Sequence, residues 1–238
     1  MQDLRALNHL MDTVMDESLN VMVRHEAAEA LGALGDVRAL SVLENFKDSV
    51  IKELSETCEI AIQLIKWKLK HGAIKSDGPF TTFDPAPPSK SKDFDKLKAG
   101  LLNSNFSIFK RYKMLFALRN MNTRQSALAI CAAFGTGSPL FEHELAYVLG
   151  QMAFEVTAST LAAVLEDTTK HEMVRHEAAE ALGSIADKSS LVILQKHAQD
   201  DVAVVKESCM VALDLHDYYN SDELQYADGL SYADAGEE

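Results

Sequence analysis

The chain has 238 residues, 47% of them hydrophobic and 25% charged, and a net charge of −13. That is an ordinary globular composition; no apolar run approaches the ~18 residues of a membrane span, and the acidic balance argues against a nucleic-acid ligand and favours a cationic substrate or basic partner. Three cysteines (Cys58, Cys131, Cys209) without CxxC spacing, and no signal-peptide pattern at the N-terminus, point to a reducing compartment, the cytoplasm.

Residues 1–70 predict helices. Leu4, Leu7, Leu10, Met11 and Val14 recur at helical spacing, as do Val23, Ala27, Ala30, Leu31 and Leu34. Asn20 suits an N-cap and Gly35-Asp36 a helix break. A further helix pair is expected over Ala39–Phe46 and Ile51–Lys70. Between Gly72 and Asp93 lie four of the five prolines, Pro79, Pro85, Pro87 and Pro88, which cannot continue a helix. The expected organisation is an N-terminal half at 1–71, a linker at 72–93, a C-terminal helical half at 94–219 and an acidic tail at 220–238.

The chain repeats itself. Met22-Val-Arg-His-Glu-Ala-Ala-Glu-Ala-Leu-Gly32 returns unchanged at Met173–Gly183, and a looser copy runs from His143-Glu144 to Gly150. The cores of successive C-terminal repeats, Phe116-Ala-Leu118, Tyr147-Val-Leu149, Ala181-Leu-Gly183 and Ala212-Leu-Asp214, recur at the length of two short helices. With no strand pattern, this predicts an all-α fold, an α-solenoid of HEAT-like hairpins in two halves. In that register the pair positions read His25-Glu26 and Glu56-Thr57 in the first half, then Tyr112-Lys113, His143-Glu144, His176-Glu177 and Glu207-Ser208 in the second. Cys58 and Cys209 share one repeat position and are expected in the core.

In a solenoid, equivalent positions on neighbouring inner helices line one face, with axes about 8–10 Å apart. Two imidazoles on that face can share a metal, and a carboxylate one residue on can flank it. Two His and one carboxylate with open positions is the non-haem Fe(II) oxygenase arrangement. An isolated His-Glu pair on a helix is ordinarily a solvated surface pair. Here the outer repeats keep the Ala-Leu core and drop the pair, so packing does not require it. Glu29 and Glu180, one turn beyond His25 and His176, are alternative ligands, but the third copy has Tyr147 there and the adjacent Glu is preferred. His171-Glu172 aligns with Asn20-Val21 and reads as a turn ahead of the helix. His9, His71, His197 and His216 read as surface or repeat-edge residues.

These motifs, with Phe141–Met152 (FEHELAYVLGQM), Asp84–Pro88 (DPAPP), Phe116–Asn120 (FALRN) and Gln225–Leu230 (QYADGL), make the chain resemble the deoxyhypusine hydroxylases, HEAT-repeat di-iron monooxygenases, over essentially its whole length. The resemblance implies Fe(II), two ions per complete site, and O2 as co-substrate. It implies hydroxylation of the deoxyhypusine side chain of translation initiation factor 5A, the expected partner. It also implies that His143, His176 and Glu177 hold one iron and His25 and Glu26 the other, with Glu144 beside the metals or the substrate amine.

The family's first His-Glu pair has no counterpart, and in the 151-residue internal register Met1 falls on Met152. A start at a normally internal methionine is therefore expected, with its apolar side at Leu4, Leu7 and Met11 exposed and hydroxylation by this chain weak. The competing reading is a truncated HEAT-repeat binding protein, catalytically impaired, holding one iron or none.

Overall fold

The computed structural model describes residues 3–72, 80 and 85–221. Among these, every regular element is helical: α1 (Leu7–Met15), α2 (Val21–Leu34), α3 (Leu40–Phe46), α4 (Lys52–His71), α5 (Phe94–Leu102), α6 (Ile108–Met121), α7 (Arg124–Cys131), α8 (Pro139–Met152), α9 (Ala158–Glu166), α10 (Glu172–Ile185), α11 (Ser190–His197) and α12 (Ala203–Asn220). The even-numbered helices stack on one another as an inner layer, and the odd-numbered ones pack outside them. No helix of the described residues is long and apolar enough to cross a membrane.

Short polar side chains start the inner helices by accepting from orphan backbone N–H groups. Asn20 accepts from Met22 N, Ser107 from Lys110 N, and Ser138 from Phe141 N, with Pro139 in the first turn. At the other end α2 closes on Gly35, with φ 75°. The same left-handed position is held by Asn122 after α6, Ala153 after α8 and Ala186 after α10. Three of these four lack glycine's freedom in that region.

Two repeated contacts fix the stack. Gly32, Gly150 and Gly183, each two helical turns beyond a pair histidine, face Ala61, Ala181 and Ala212 of the next inner helix. A Cβ added at them would stand 3.0, 3.0 and 2.7 Å from the facing Cα. The glycines let the inner helices approach backbone to backbone, which draws the pair positions together. The residue just before the pair anchors the helix. Arg24, Arg111 and Arg175 donate through Nε to the carbonyls of Val14, Leu101 and Leu165 at 3.0, 2.8 and 2.9 Å. In α8 that position is Glu142, which accepts from Gly135 N at 2.8 Å and from Lys170 Nζ at 2.6 Å.

The interior forms two clusters, and α4 serves both. Leu54, Cys58, Ala61, Ile62 and Ile65 pack with α1–α3, whereas Ile60 and Leu64 join Ala86, Tyr112, Leu140 and the C-terminal core. Cys58 and Cys209 are fully buried, as their shared repeat position implied, and burial pushes both thiols up to about 12. Leu7 is buried under α2 rather than left open, while Leu4 is half exposed. The expected acidic tail beyond Ser221, with its QYADGL segment, lies outside the described residues.

Candidate metal centre

His25 on α2, His143 on α8 and His176 on α10 converge. The His25 ring meets His143 edge-on at 5.8 Å between centroids, and His143 lies 5.3 Å from His176. Two overlapping sets of ligand atoms result, His25–Glu26–His143 and His143–His176–Glu177. Within each set the atoms all lie within 4.8 Å of one another. Nε2 of His25, Nε2 of His176 and Nδ1 of His143 are buried without a hydrogen-bond partner among the described residues. Buried polar atoms are ordinarily satisfied, so three unsatisfied imidazole nitrogens in one cluster fit a bound cation.

The carboxylates differ. Glu177 reaches from α10 back to the preceding repeat, with Oε2 3.2 Å from His143 Nε2, and both side chains are 9% exposed. Glu26 Oε1 stands 3.6 Å from His25 Nε2, and its side chain is 65% exposed. Glu144 is buried and belongs to neither set. Its charge acts instead on Tyr112, Arg119 and Tyr147. Glu180 does not enter a set either. It accepts from Ser208 Oγ at 2.8 Å and lies 3.4 Å from His176 Nδ1.

The electrostatics separate the histidines. Burial, reinforced by the His143 and His176 charges, pushes His25 down to about 3, so its ring is neutral at pH 7. Burial also disfavours charge on His143, but the hydrogen bond and charge of Glu177, with Glu29 and Glu26 beyond, outweigh it and raise this imidazole. Glu180 is held below the usual carboxylate range by His176, against burial, with help from Ser208.

The remaining histidines fall only partly where expected. His171 is not a free turn residue: its ring caps α10, Nδ1 accepting from Met173 N at 3.2 Å, and Glu172 is already helical. His197 and His216 are buried rather than at the surface. His197 Nδ1 is 2.8 Å from Asp200 Oδ2, which also accepts from Arg175 at 2.6 Å. His9 and His71 are exposed.

Two further residues, absent from the sequence expectations for the site, contact the clustered histidines. Thr57 Oγ1 lies 2.7 Å from His25 Nδ1, and Ser208 Oγ 3.5 Å from His176 Nδ1. Both occupy the second pair position of a repeat that lacks His. The shared Glu-hydroxyl dipeptides Glu56-Thr57 and Glu207-Ser208 were the available signal.

Comparison with known proteins places the fold among HEAT-repeat proteins. HEAT repeats match residues 129–214, and the PBS lyase HEAT-like repeat matches residues 23–49. The chain is 45% identical to a Homo sapiens deoxyhypusine hydroxylase over 230 residues, covering 97% of this chain and 76% of that protein. For the Drosophila melanogaster deoxyhypusine hydroxylase the identity is 45% over 236 residues, 99% of this chain and 78% of the relative. The solved structure of human deoxyhypusine hydroxylase in complex with glycerol superposes with a TM-score of 0.89 at 44% identity, covering 91% of this chain and 75% of that one.

Proposed function

Because the chain belongs to the deoxyhypusine hydroxylase family, a family of enzymes, we propose that its histidine cluster is a non-haem iron site for hydroxylating the deoxyhypusine side chain of translation initiation factor 5A with O2. In this reading His143, His176 and Glu177 hold one Fe(II), and His25 and Glu26 hold the other. When bound, iron supplies the activation of O2 that no side chain can provide. Glu144 is the carboxylate for the substrate amine. It sits buried one residue beyond His143, and a cationic side chain entering there replaces lost hydration with an ion pair.

The observation that carries this reading is the convergence of three buried histidines with Glu177 and Glu26 into two ligand sets, with Nε2 of His25 and of His176 buried and without a hydrogen-bond partner among the described residues. The protein's part is to keep those nitrogens in position before the metal arrives. The test is anaerobic loading with Fe(II), metal analysis, then turnover of deoxyhypusine-containing initiation factor 5A. Iron-dependent formation of hypusine is the expected result. Iron bound without any hypusine, under conditions in which a relative turns over, contradicts the activity; no bound iron contradicts the site.

A second reading, a module that holds one iron without turnover, draws on a different observation. His143 is common to both sets, so three histidines serve the two sets between them. A stoichiometry of one iron per chain with no turnover favours it, and two irons per chain exclude it.

A further inference from the structure

Thr57 and Ser208 lie outside both ligand sets, yet each touches the histidine that its repeat stacks upon. The numbers match across the halves, since 25 and 57, like 176 and 208, are 32 apart. In α10 the corresponding residue is Glu177, and it also reaches back, to His143. In all three cases the second pair position of an inner helix serves the preceding repeat's histidine. Where the repeat has its own His-Glu it supplies a carboxylate; where it closes a half it supplies a hydroxyl.

The hydroxyl proton decides what that contact does. Thr57 Oγ1 donates to the Glu53 carbonyl at 2.8 Å, and a carbonyl only accepts. Its single proton is thereby placed on its own helix, so toward His25 Nδ1 the oxygen acts as acceptor. With the hydroxyl proton on that carbonyl, a neutral ring carries its own proton on Nδ1, which leaves Nε2 as a bare, buried lone pair. Ser208 repeats the logic. Its Oγ donates to Glu180 Oε1 at 2.8 Å, and both oxygens then face His176 Nδ1 as acceptors, at 3.5 and 3.4 Å. Nε2 of His176 is again bare and buried.

We propose that Thr57 and Ser208 are positioning residues that fix His25 and His176 as Nδ1–H tautomers, so that Nε2 is the metal donor in both halves. This rests on the metal reading above. A neutral hydroxyl whose proton is already engaged orients the ring and adds no charge. Partners of this kind set the tautomer and basicity of ligating imidazoles.

The test uses long-range 1H–15N correlation of the histidine rings in the metal-free full chain, followed by Co(II) titration. His25 and His176 are expected to show protonated Nδ1 and unprotonated Nε2. Thr57→Val should shift His25 toward a tautomer mixture and weaken the Co(II) phase assigned to His25 by about 10–100-fold. Thr57→Ser should restore both, which loss of packing alone does not explain. Ser208→Ala should do less at His176, because Glu180 remains as acceptor; adding Glu180→Ala should bring the full effect.

An Nε2–H tautomer at either ring in the parent chain overturns the proposal. So does a Thr57→Val chain that is folded, with the ring pattern and Co(II) affinity of the parent. The parent's expected tautomers together with a failure to bind Co(II) sink the metal reading instead, and the ring signals tell the two failures apart.

Discussion

The two ligand sets share His143 but are built in different ways. His143, His176 and Glu177 come from successive inner helices, α8 and α10, clamped by the approach of Gly150 to Ala181. All three side chains are at most 10% exposed. The other set joins His143 to α2, a helix of the facing half, through an edge-on ring contact, and its carboxylate Glu26 is mostly exposed. Stacking fixes the first set within one packed unit. The second depends on how the halves meet, along α4 against α6 and α8. A metal site gains affinity from ligands held before binding, so the C-terminal set should be the tighter one.

The largest expected effect removes the shared member. His143→Ala takes a ligand from both sets, and Co(II) affinity should fall by more than the ~10–100-fold that loss of a supporting residue costs. His171→Ala, which removes a helix cap and a 3.7 Å contact with Glu53 but no member of either ligand set, should leave Co(II) titrations unchanged. Equal losses for the two variants would break the distinction between ligand and cap.

The anchors behind the sets also differ. Arg175, beside His176, pairs with Asp200 at 2.6 Å, with side chains only 4% and 10% exposed. Arg24, beside His25, bonds Val14 O and lies over the Phe46 ring, 5.1 Å from its centroid. Asp200→Ala strands a buried guanidinium and should cost about 3–5 kcal/mol in denaturant unfolding. The Arg175 hydrogen bond holds the Asp200 carboxyl well below the usual carboxylate range, against the opposing effect of burial. Its contribution is therefore complete above the unfolded pKa, about 4, and is lost as pH falls below it.

Packing at the repeat glycines offers a finer comparison. A Cβ on Gly183 would meet Ala212 backbone at 2.7 Å, and one on Gly32 would meet Ala61 at 3.0 Å. Gly183→Ala should destabilise by about 1–3 kcal/mol, and Gly32→Ala by less. Equal thermal shifts would show that the two helix pairs yield alike. The smallest effect concerns the left-handed helix ends. Ala186 occupies with φ 52° the position Gly35 occupies at 75°. Ala186→Gly should stabilise by about 0.5–1 kcal/mol through relief of backbone strain, read as a higher midpoint at unchanged denaturant slope.

Much of this architecture was legible in the chain because it is periodic. Apolar spacing marks the helices from Leu7 onward, and the repeated His-Glu-to-Gly stretch puts His143 and His176 on adjacent inner helices. Asn20 caps where its side chain predicts, and Gly35 ends α2 where glycine predicts. The breaks at Ala153 and Ala186 carried no such mark, since alanine gives no local sign of a positive φ. His197 reads as polar edge, but Asp200 and Arg175 satisfy it inside, and only tertiary packing brings those partners together. The burial of Leu7 likewise follows from α1 lying on α2. The role of Thr57 and Ser208 emerges only when the preceding repeat is stacked against them, because their own repeats lack histidine. The meeting of His25 with His143 has no local signal at all, because it joins facing halves.

The central claim is that the stacked set binds metal first. The most direct measurement is anaerobic Fe(II) titration of the parent, His25→Ala and His176→Ala chains, followed by equilibrium dialysis. The tight phase should survive His25→Ala and disappear in His176→Ala. A tight phase lost with His25 and kept without His176 would contradict the account.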